Sequence, residues 1–300
     1  VYNYSSTIYF VDCNDATCSS PTSTAIDAGG STSSRVSIDC PTAIDCKLAY
    51  YESNEGDITF ADCNDATCSV PTLVDIDTAV RNNADVDIDC VGGATACIVV
   101  YFGEQNDDLV FAACTDADCG TCAGAGVTCT TLNANAGTYY NRLSMDCIST
   151  SDCKIVQYTD TEGDVNFIDC NNSACSSAVT TDIDTDVGTS SDSARVGIDC
   201  AGSSTDCKVV YTDETDGDIT FVDCNDTACA TSTITDIDTS AGSESEIYLI
   251  CPTASDCKIA MYDDENTDIS FADCNDATCS SPTINDIDTS AGGRGDVALE

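Results

Sequence analysis

Pairs of aspartates separated by one residue recur along the chain and are the side chains best suited to bind a cation. The four pairs are Asp75 and Asp77, Asp182 and Asp184, Asp236 and Asp238, and Asp286 and Asp288. Because strand side chains alternate, both carboxylates of a pair share one face, and the isoleucine between them points the other way. Two carboxylates on one face bind Ca²⁺ when loops add further oxygens. We therefore take these eight aspartates as candidate Ca²⁺ ligands.

A second set of acids ends the first predicted strand of each repeat: Asp39, Asp89, Asp146, Asp199 and Glu300, with Ile250 interrupting the series. The alternative interpretation is that the acids of the outer strands, those of the aspartate pairs, are solvated and protect exposed strand edges from pairing. The chain contains no EF-hand or RTX-type loop. Beyond Ca²⁺, no cofactor is expected.

The chain contains 24 cysteines, which form close pairs along the sequence. One set encloses four residues: Cys13 and Cys18, Cys63 and Cys68, Cys114 and Cys119, Cys170 and Cys175, Cys224 and Cys229, and Cys274 and Cys279. A second set lies between the first and second predicted strands: Cys40 and Cys46, Cys90 and Cys97, Cys147 and Cys153, Cys200 and Cys207, and Cys251 and Cys257. Cysteines that face each other across a hairpin have the separation that a disulfide needs. The sequence therefore predicts disulfide-clamped hairpins in an extracellular or cell-surface protein.

Metal binding is the other use of paired cysteines. Zinc sites prefer two to four residues between cysteines and often include histidine, whereas these pairs enclose four to six residues and the chain has no histidine. The remaining pair, Cys122 and Cys129, lies in an insertion at 120–138 and is expected to close its own loop, although Cys119 and Cys122 could pair instead. Sequons at Asn3, Asn171 and Asn225 are candidate glycosylation sites.

Composition excludes several partners. The formal net charge is −44, with nine lysines and arginines among 300 residues, so the chain cannot neutralise nucleic-acid phosphates. The same charge excludes anionic membranes, and no apolar run is long enough to span a bilayer. The sequence begins at Val1, and we expect a processed form.

A repeat of about 50 residues runs through the chain, marked by Phe10, Phe60, Phe111, Phe167, Phe221 and Phe271 ahead of each cysteine turn. Each unit shows four short strand patterns and no helical period. The pattern predicts an all-β fold, a six-bladed β-propeller of four-stranded antiparallel blades in one domain over 1–300. We expect blades at about 35–84, 85–141, 142–194, 195–245 and 246–293, and a last blade shared by the termini, 294–300 plus 1–34. A β-solenoid or a string of small sandwiches is the alternative.

The repeat unit resembles those of sialidase-type, Asp-box propellers. In that family a tight turn joins the third and fourth strands, and here CNDATCSSPT (274–283) and CNDATCSVPT (63–72) occupy that place. The serine and tryptophan of the family's turn are missing, and a disulfide takes their role. The unit is also similar to secreted bacterial proteins built on CNDATC repeats, seen in AYYESNEGDITFADCNDATC (49–68). Both resemblances imply a fold and no particular activity.

Catalysis is not expected. The arginines and lysines occupy repeat positions and leave no cluster for a sialidase, and the chain has neither tryptophan nor histidine. The near-identity of the units predicts that no single unit holds a specialised site. We therefore expect an extracellular structural or adhesive propeller that assembles with itself or with other surface components, as a filament or surface layer joined through the split blade. The alternative is a Ca²⁺-dependent or glycan-binding module, and a glycosidase is a third possibility.

Overall fold

The computed structural model describes most of the chain. The described residues are 1–4, 7–13, 18–27, 36–78, 80, 85–91, 93, 95–103, 108–122, 124, 126–133, 142–189, 195–239, 241, 247–263 and 266–289. They form strands and turns without any helix, and thus no helix that could cross a membrane.

The first three sheets are antiparallel meanders in chain order. Sheet 1 contains β1 (Tyr2–Asn3), β2 (Ile8–Asp12) and β3 (Thr22–Asp27). Sheet 2 contains β4 (Val36–Thr42), β5 (Asp45–Glu52), β6 (Asp57–Cys63) and β7 (Thr72–Asp77). Sheet 3 contains β8 (Val86–Asp89), β9 (Ile98–Phe102), β10 (Leu109–Cys114) and β11 (Val127–Asn133).

The last three sheets repeat the same four-stranded pattern. Sheet 4 contains β12 (Arg142–Ser149), β13 (Asp152–Thr159), β14 (Asp164–Cys170) and β15 (Val179–Asp184). Sheet 5 contains β16 (Val196–Asp199), β17 (Lys208–Asp213), β18 (Asp218–Cys224) and β19 (Ser232–Asp238). Sheet 6 contains β20 (Ile247–Thr253), β21 (Asp256–Asp263), β22 (Asp268–Cys274) and β23 (Thr283–Asp288). The predicted four strands per unit are confirmed in these sheets.

Sheet 1 has three described strands, which match the second to fourth strands of the other sheets. The first strand predicted for it, 296–300, lies outside the described residues, as does Glu300 of the second acidic set. The shared terminal blade therefore stays a prediction.

The chain forms two compact units. Unit 1 comprises Val1–Tyr139, Ser149–Ser151 and Asn172–Ser176, and unit 2 comprises Tyr140–Ile148, Asp152–Asn171 and Ser177–Glu300. Within unit 1, one apolar cluster joins sheets 1 and 2 and another joins sheets 2 and 3. Within unit 2, corresponding clusters join sheets 4 and 5, and sheets 5 and 6. Sheet packs on sheet, and the core lies in the spaces between them.

The middle strands of a sheet are buried on both faces. In β6 all seven residues are buried, and in β5 all but the first. The fourth strands are largely exposed, and β7 buries only Ile76, the residue between the two aspartates of its pair. The ladder has a β-bulge here: Asp77 lies opposite Ile58 and Asp75 opposite Thr59, so Ile76 is the extra residue. Because Ile58 and Thr59 point to opposite faces of the sheet, the two aspartates do so as well, and the expectation that a pair shares one face is wrong. The same bulge occurs at the other three pairs.

Disulfides clamp both kinds of hairpin, at the pairs that the cysteine spacing predicts. Between the third and fourth strands of a unit, Cys13 is bonded to Cys18, Cys63 to Cys68, Cys114 to Cys119, Cys224 to Cys229, and Cys274 to Cys279. Between the first and second strands, Cys40 is bonded to Cys46, Cys90 to Cys97, Cys147 to Cys153, Cys200 to Cys207, and Cys251 to Cys257.

The last four cysteines complete the framework. Cys122 is bonded to Cys129 and not to Cys119, so the insertion closes its own loop. Cys170 and Cys175 are also disulfide-bonded, and since all other cysteines are paired, they are bonded to each other. Every cysteine of the chain lies among the described residues, and none of them is free.

The turn between the third and fourth strands is held by an acid as well as by its disulfide. In sheet 2 the Asp65 carboxylate accepts hydrogen bonds from the backbone amides and the hydroxyls of Thr67 and Ser69. Cys68 has a left-handed backbone with φ of 49°, which costs free energy for a residue other than glycine. The hydrogen bonds and the disulfide together hold this conformation. Asp226, Asp276 and Asn172 accept equivalent bonds in other sheets.

These hydrogen bonds predict a pH dependence at Asp65. The hydroxyls of Thr67 and Ser69 and the turn amides lower the pKa of Asp65 to about 2. An unfolded aspartate has a pKa of about 3.9. Since the folded pKa is the lower one, the carboxylate's contribution to stability is complete above about pH 4 and is lost as pH falls through about 2.

We expect the variant Asp65→Asn to lose less stability than the wild type between about pH 4.5 and 2, measured as the midpoint of guanidinium unfolding. The variant should fold, because Asn172 already occupies the same position in sheet 4. Asp118→Asn, at an exposed aspartate, serves as the control and should follow the wild type. Equal acid losses in Asp65→Asn and the wild type would contradict the prediction.

Candidate functional site

Four sheets place a lysine between two aspartates, an arrangement that we call the lysine triad. Each lysine lies on the second strand, directly opposite an aspartate of the third strand. A second aspartate lies two residues before the lysine. The triads are Lys47 with Asp45 and Asp62, Lys154 with Asp152 and Asp169, Lys208 with Asp206 and Asp223, and Lys258 with Asp256 and Asp273.

In three of the triads the lysine side chain is buried, whereas in sheet 6 the Lys258 side chain is 25 % exposed. Lys208 is fully buried, with its Nζ 2.6 Å from Asp206 and 2.5 Å from Asp223. Burial lowers the pKa of Lys47, but hydrogen bonds to its two acids and their charges outweigh it, so the pKa lies above its ordinary value. The lysine therefore stays charged and depends on its two acids.

Sheet 3 replaces the whole triad with small or apolar residues. Ile98 stands where the lysine would be and pairs with Ala113, where the third-strand aspartate would be. Ala96 replaces the aspartate two residues before the lysine. All three charged groups are replaced together, which avoids leaving one charge buried without its partners.

A cavity of about 270 Å³ lies at this place, and we call it the third-sheet pocket. Its apolar floor consists of Ile98, which is buried, and Ala96, Ala113 and Ala174, which are half-buried. Hydroxyl residues form its rim: Thr95, Thr115, Thr128, Thr150 and Ser173. Cys97 and Cys114 complete the lining. All of the described residues that line it are uncharged, in a protein with a net charge of −44.

The pocket wall is fixed by covalent and hydrogen bonds. Cys97 and Cys114 each belong to a disulfide, and the Cys114 amide donates to the Cys97 carbonyl at 2.9 Å. The Thr130 hydroxyl donates to the Ala174 carbonyl at 2.6 Å, and the Ala174 amide donates to the Asn172 side chain at 3.2 Å. The cavity is therefore preformed.

The pocket was not predicted, although the sequence carries the information. The insertion at 120–138 is the more visible asymmetry among the repeats. Replacement of three charged residues at matched positions of one unit is a second asymmetry, which becomes visible once the six units are aligned. Sheet 3 thus departs from the expectation that no unit is specialised.

The eight candidate Ca²⁺ ligands lie on the fourth strands, and five of them accept hydrogen bonds from neighbouring strands. The first aspartates Asp75, Asp236 and Asp286 accept from Thr59, Thr220 and Ser270 of the adjacent third strand, at 3.1, 3.3 and 2.9 Å. Asp77 and Asp184 accept from tyrosines of the next sheet. Within the described part of the chain, no group of three or more acids, cysteines or histidines is arranged to hold a metal ion. Calcium binding by the pairs stays a prediction.

Those tyrosines join one sheet to the next. The Tyr50 hydroxyl donates to Asp27 at 2.7 Å, and the Tyr101 hydroxyl donates to Asp77 at 3.0 Å. Tyr211 makes the same kind of bond to the second aspartate of its neighbour's pair, at 2.5 Å. Burial, followed by the hydrogen bond and charge of the aspartate, raises the pKa of Tyr50 and of Tyr211 well above the ordinary range. The phenols therefore stay protonated and remain donors, which gives the second aspartate of a pair a structural role.

The second acidic set also links neighbouring sheets. Asp39 accepts the Cys90 amide at 2.7 Å, Asp146 accepts the Cys200 amide at 2.6 Å, and Asp199 accepts the Cys251 amide at 2.9 Å. Burial is the main cause that raises the pKa of Asp146, while the amides lower it. These acids are therefore not merely solvated.

Glu52 lies among several other acids at the end of a buried strand. It ends β5 opposite Asp57 and is 6 % exposed. Burial, followed by the charges of Asp27, Glu55, Asp75 and Asp57, raises the pKa of Glu52 to about 7.

The candidate glycosylation residues Asn171 and Asn225 are exposed. The Asn171 side chain donates to Asp169 at 3.0 Å, which places it beside a lysine triad. The side chain of Asn3 lies outside the described residues. Glycosylation stays a prediction at all three sites.

Comparison with known proteins shows the fold and no family. No family model and no curated protein matches the chain. A solved structure of the lectin of Aleuria aurantia with Fucalpha1-6GlcNAc has a TM-score of 0.58 at 12 % identity and covers 88 % of this chain and 81 % of that one. A second structure of that lectin, described as a six-bladed β-propeller with a novel fucose recognition mode, has a TM-score of 0.56 at 11 % identity and covers 86 % and 80 %.

These similarities confirm the predicted fold class: the protein is an all-β, six-bladed β-propeller with disulfide-clamped hairpins. The resemblance to sialidase-type propellers is supported as far as the propeller and no further, because no comparison points to that family.

The lysine triads predict that replacing the lysine alone destabilises the protein more than replacing all three residues of a triad. Lys208→Ile leaves Asp206 and Asp223 without their cation and should lower the free energy of unfolding by about 3–5 kcal/mol. The combination Asp206→Ala, Lys208→Ile and Asp223→Ala reproduces the residues of sheet 3 and should cost less than the single change. Guanidinium unfolding at neutral pH measures both variants. A triple variant less stable than the single one would contradict the prediction.

The raised pKa of Glu52 predicts a loss of stability with rising pH. An unfolded glutamate has a pKa of about 4.3. Since the folded pKa is higher, the folded state binds the proton more tightly, and stability falls as pH rises from about 4.3 to 7. Glu52→Gln should reduce the loss seen between about pH 5 and 8 in the guanidinium midpoint. An unchanged pH dependence in the variant would show that Glu52 does not titrate in this window.

Proposed function

We propose that this protein is an extracellular carbohydrate-binding module, a β-propeller that binds a neutral sugar and does not transform it. The third-sheet pocket is the observation that carries the proposal. It combines an apolar floor with a rim of five hydroxyl residues, and sugars present the same combination of C–H faces and hydroxyl groups. Binding pockets are typically apolar with a small number of placed polar groups.

Two further observations support this function. The disulfides suit an oxidising environment, where extracellular glycans occur. The fold matches that of a lectin whose solved structures contain fucose ligands, although at 11–12 % identity this similarity supports the propeller and not the ligand. An adhesive role is compatible with sugar binding. The filament hypothesis depends on the strand 296–300, which lies outside the described residues, and it stays a prediction from the sequence.

The pocket's size limits the ligand and its affinity. A volume of about 270 Å³ is just below the range of about 300–1,000 Å³ typical of drug-sized ligands, so a single sugar ring fills it. At about −0.3 kcal/mol per heavy atom, a ring of roughly a dozen atoms binds with a Kd of about 2 mM. Tighter binding would require several copies of the protein on one surface.

The test uses the disulfide-bonded protein on an array of neutral and acidic glycans, followed by calorimetric titration of the sugars that bind. We expect saturable binding to neutral sugars. The matched control combines Ala96→Asp, Ile98→Lys and Ala113→Asp, which places in sheet 3 the triad that four other sheets accommodate. This variant should fold, which its unfolding midpoint verifies, and should lose binding by roughly tenfold or more.

Two results would overturn the proposal. One is the absence of saturable binding to any neutral sugar in the titration. The other is binding that survives in a folded triad variant, because the ligand would then lie elsewhere. Thr128→Val removes one rim hydroxyl at nearly constant volume and, if the triad variant does not fold, provides the second measurement, with weaker binding expected.

A further inference from the structure

The floor and the rim of the third-sheet pocket differ in what they offer a ligand. The floor residues Ala96, Ile98, Ala113 and Ala174 present only methyl and methylene groups from their side chains. The rim residues are threonines and a serine, most of them exposed. A ligand group that reaches the floor leaves water without gaining a side-chain hydrogen bond there.

We infer that the pocket selects neutral sugars carrying an apolar substituent, such as the methyl group of a 6-deoxyhexose or the methyl of an N-acetyl group, and binds that substituent on its floor. This inference rests on the proposed function and specifies its ligand class. A buried hydroxyl without a partner is penalised in binding, whereas a methyl group at the same place gains apolar burial. The parent hexose is therefore the poorer ligand.

Charge excludes the acidic sugars. None of the described residues that line the pocket is cationic, so a uronic or sialic acid carboxylate finds no partner. The protein's net charge of −44 repels the anion as it approaches. Sugar hydroxyls, by contrast, match the threonine and serine hydroxyls, which both donate and accept hydrogen bonds.

Hydrogen bonds in the pocket wall favour discrimination between a methyl group and a hydroxyl on the floor. The Ala174 carbonyl is held by Thr130 and the Ala174 amide by Asn172, while the Thr115 amide donates to the Gly126 carbonyl at 2.8 Å. These bonds hold the backbone of this part of the wall, so it changes shape only if they are broken. Discrimination is still bounded, because an apolar pocket rejects a ligand that only adds a hydroxyl by about 100-fold at most.

The experiment compares two sugars that differ by one oxygen. Methyl α-L-fucoside and methyl α-L-galactoside share ring stereochemistry, and the second has a hydroxyl where the first ends in a methyl group. Each is titrated into the disulfide-bonded protein by calorimetry, with N-acetylglucosamine against glucose as an independent pair. In at least one of the pairs, the sugar with the methyl group should bind roughly tenfold more tightly than its parent. Glucuronic acid should not bind.

A matched variant tests the role of the floor. Ala96→Ser combined with Ala113→Ser adds two hydroxyls to the floor with little change in volume. The preference for the methyl-bearing sugar should fall toward unity in this variant, while the guanidinium midpoint stays close to that of the wild type.

The outcomes separate this inference from the proposed function. If both members of each pair bind equally, or if glucuronic acid binds best, the inference fails and sugar binding stands. If no sugar binds, the proposed function fails and the inference fails with it. If the preference persists in the serine variant, the substituent does not rest on this floor and the inference is overturned.

Discussion

In four sheets a lysine side chain lies between the second and third strands, and three of these lysines are fully buried. A buried ammonium group requires carboxylates around it. The chain supplies two for every lysine, one opposite in the ladder and one two residues earlier on the same strand. The three residues therefore exist as a set. Sheet 3 follows the same rule by replacing all three, and the three replacing residues are among those that line the cavity for which we propose sugar binding.

The same constraint explains how the protein accommodates so many acids. A net charge of −44 would destabilise a compact fold if every carboxylate faced its neighbours unpaired. Many of these carboxylates instead accept hydrogen bonds, from turn amides at Asp65, from a tyrosine hydroxyl at Asp77 and from a backbone amide at Asp199. Glu52, buried among other acids, holds its proton to higher pH. The acids are thus part of the packing between sheets as well as of the surface.

The sequence predicts the repeat, the four strands per unit and the cysteine pairs, because these depend on residues close together in the chain. It does not predict the roles of the aspartate pairs. Asp77 accepts from Tyr101, which lies 24 residues further on and in another sheet. Strand alternation also places the two aspartates on one face, whereas the β-bulge at Ile76 places them on opposite faces. The pocket escaped prediction for a different reason. The side chains of Ala96 and Ala113 cannot by themselves indicate a binding site. They become informative only when they are compared with the charged residues at the same positions in other units.

The disulfides described above all join cysteines five to seven residues apart, and none links one sheet to another. A chain with 24 cysteines has an immense number of wrong pairings open to it. Because each correct partner lies across a short turn, and only Cys119 and Cys122 have a nearer cysteine that is not their partner, each bond can close as soon as its hairpin has formed. The disulfides can thus form hairpin by hairpin, with little need for thiol exchange between distant parts of the chain. None of these bonds requires the sheets to pack together first.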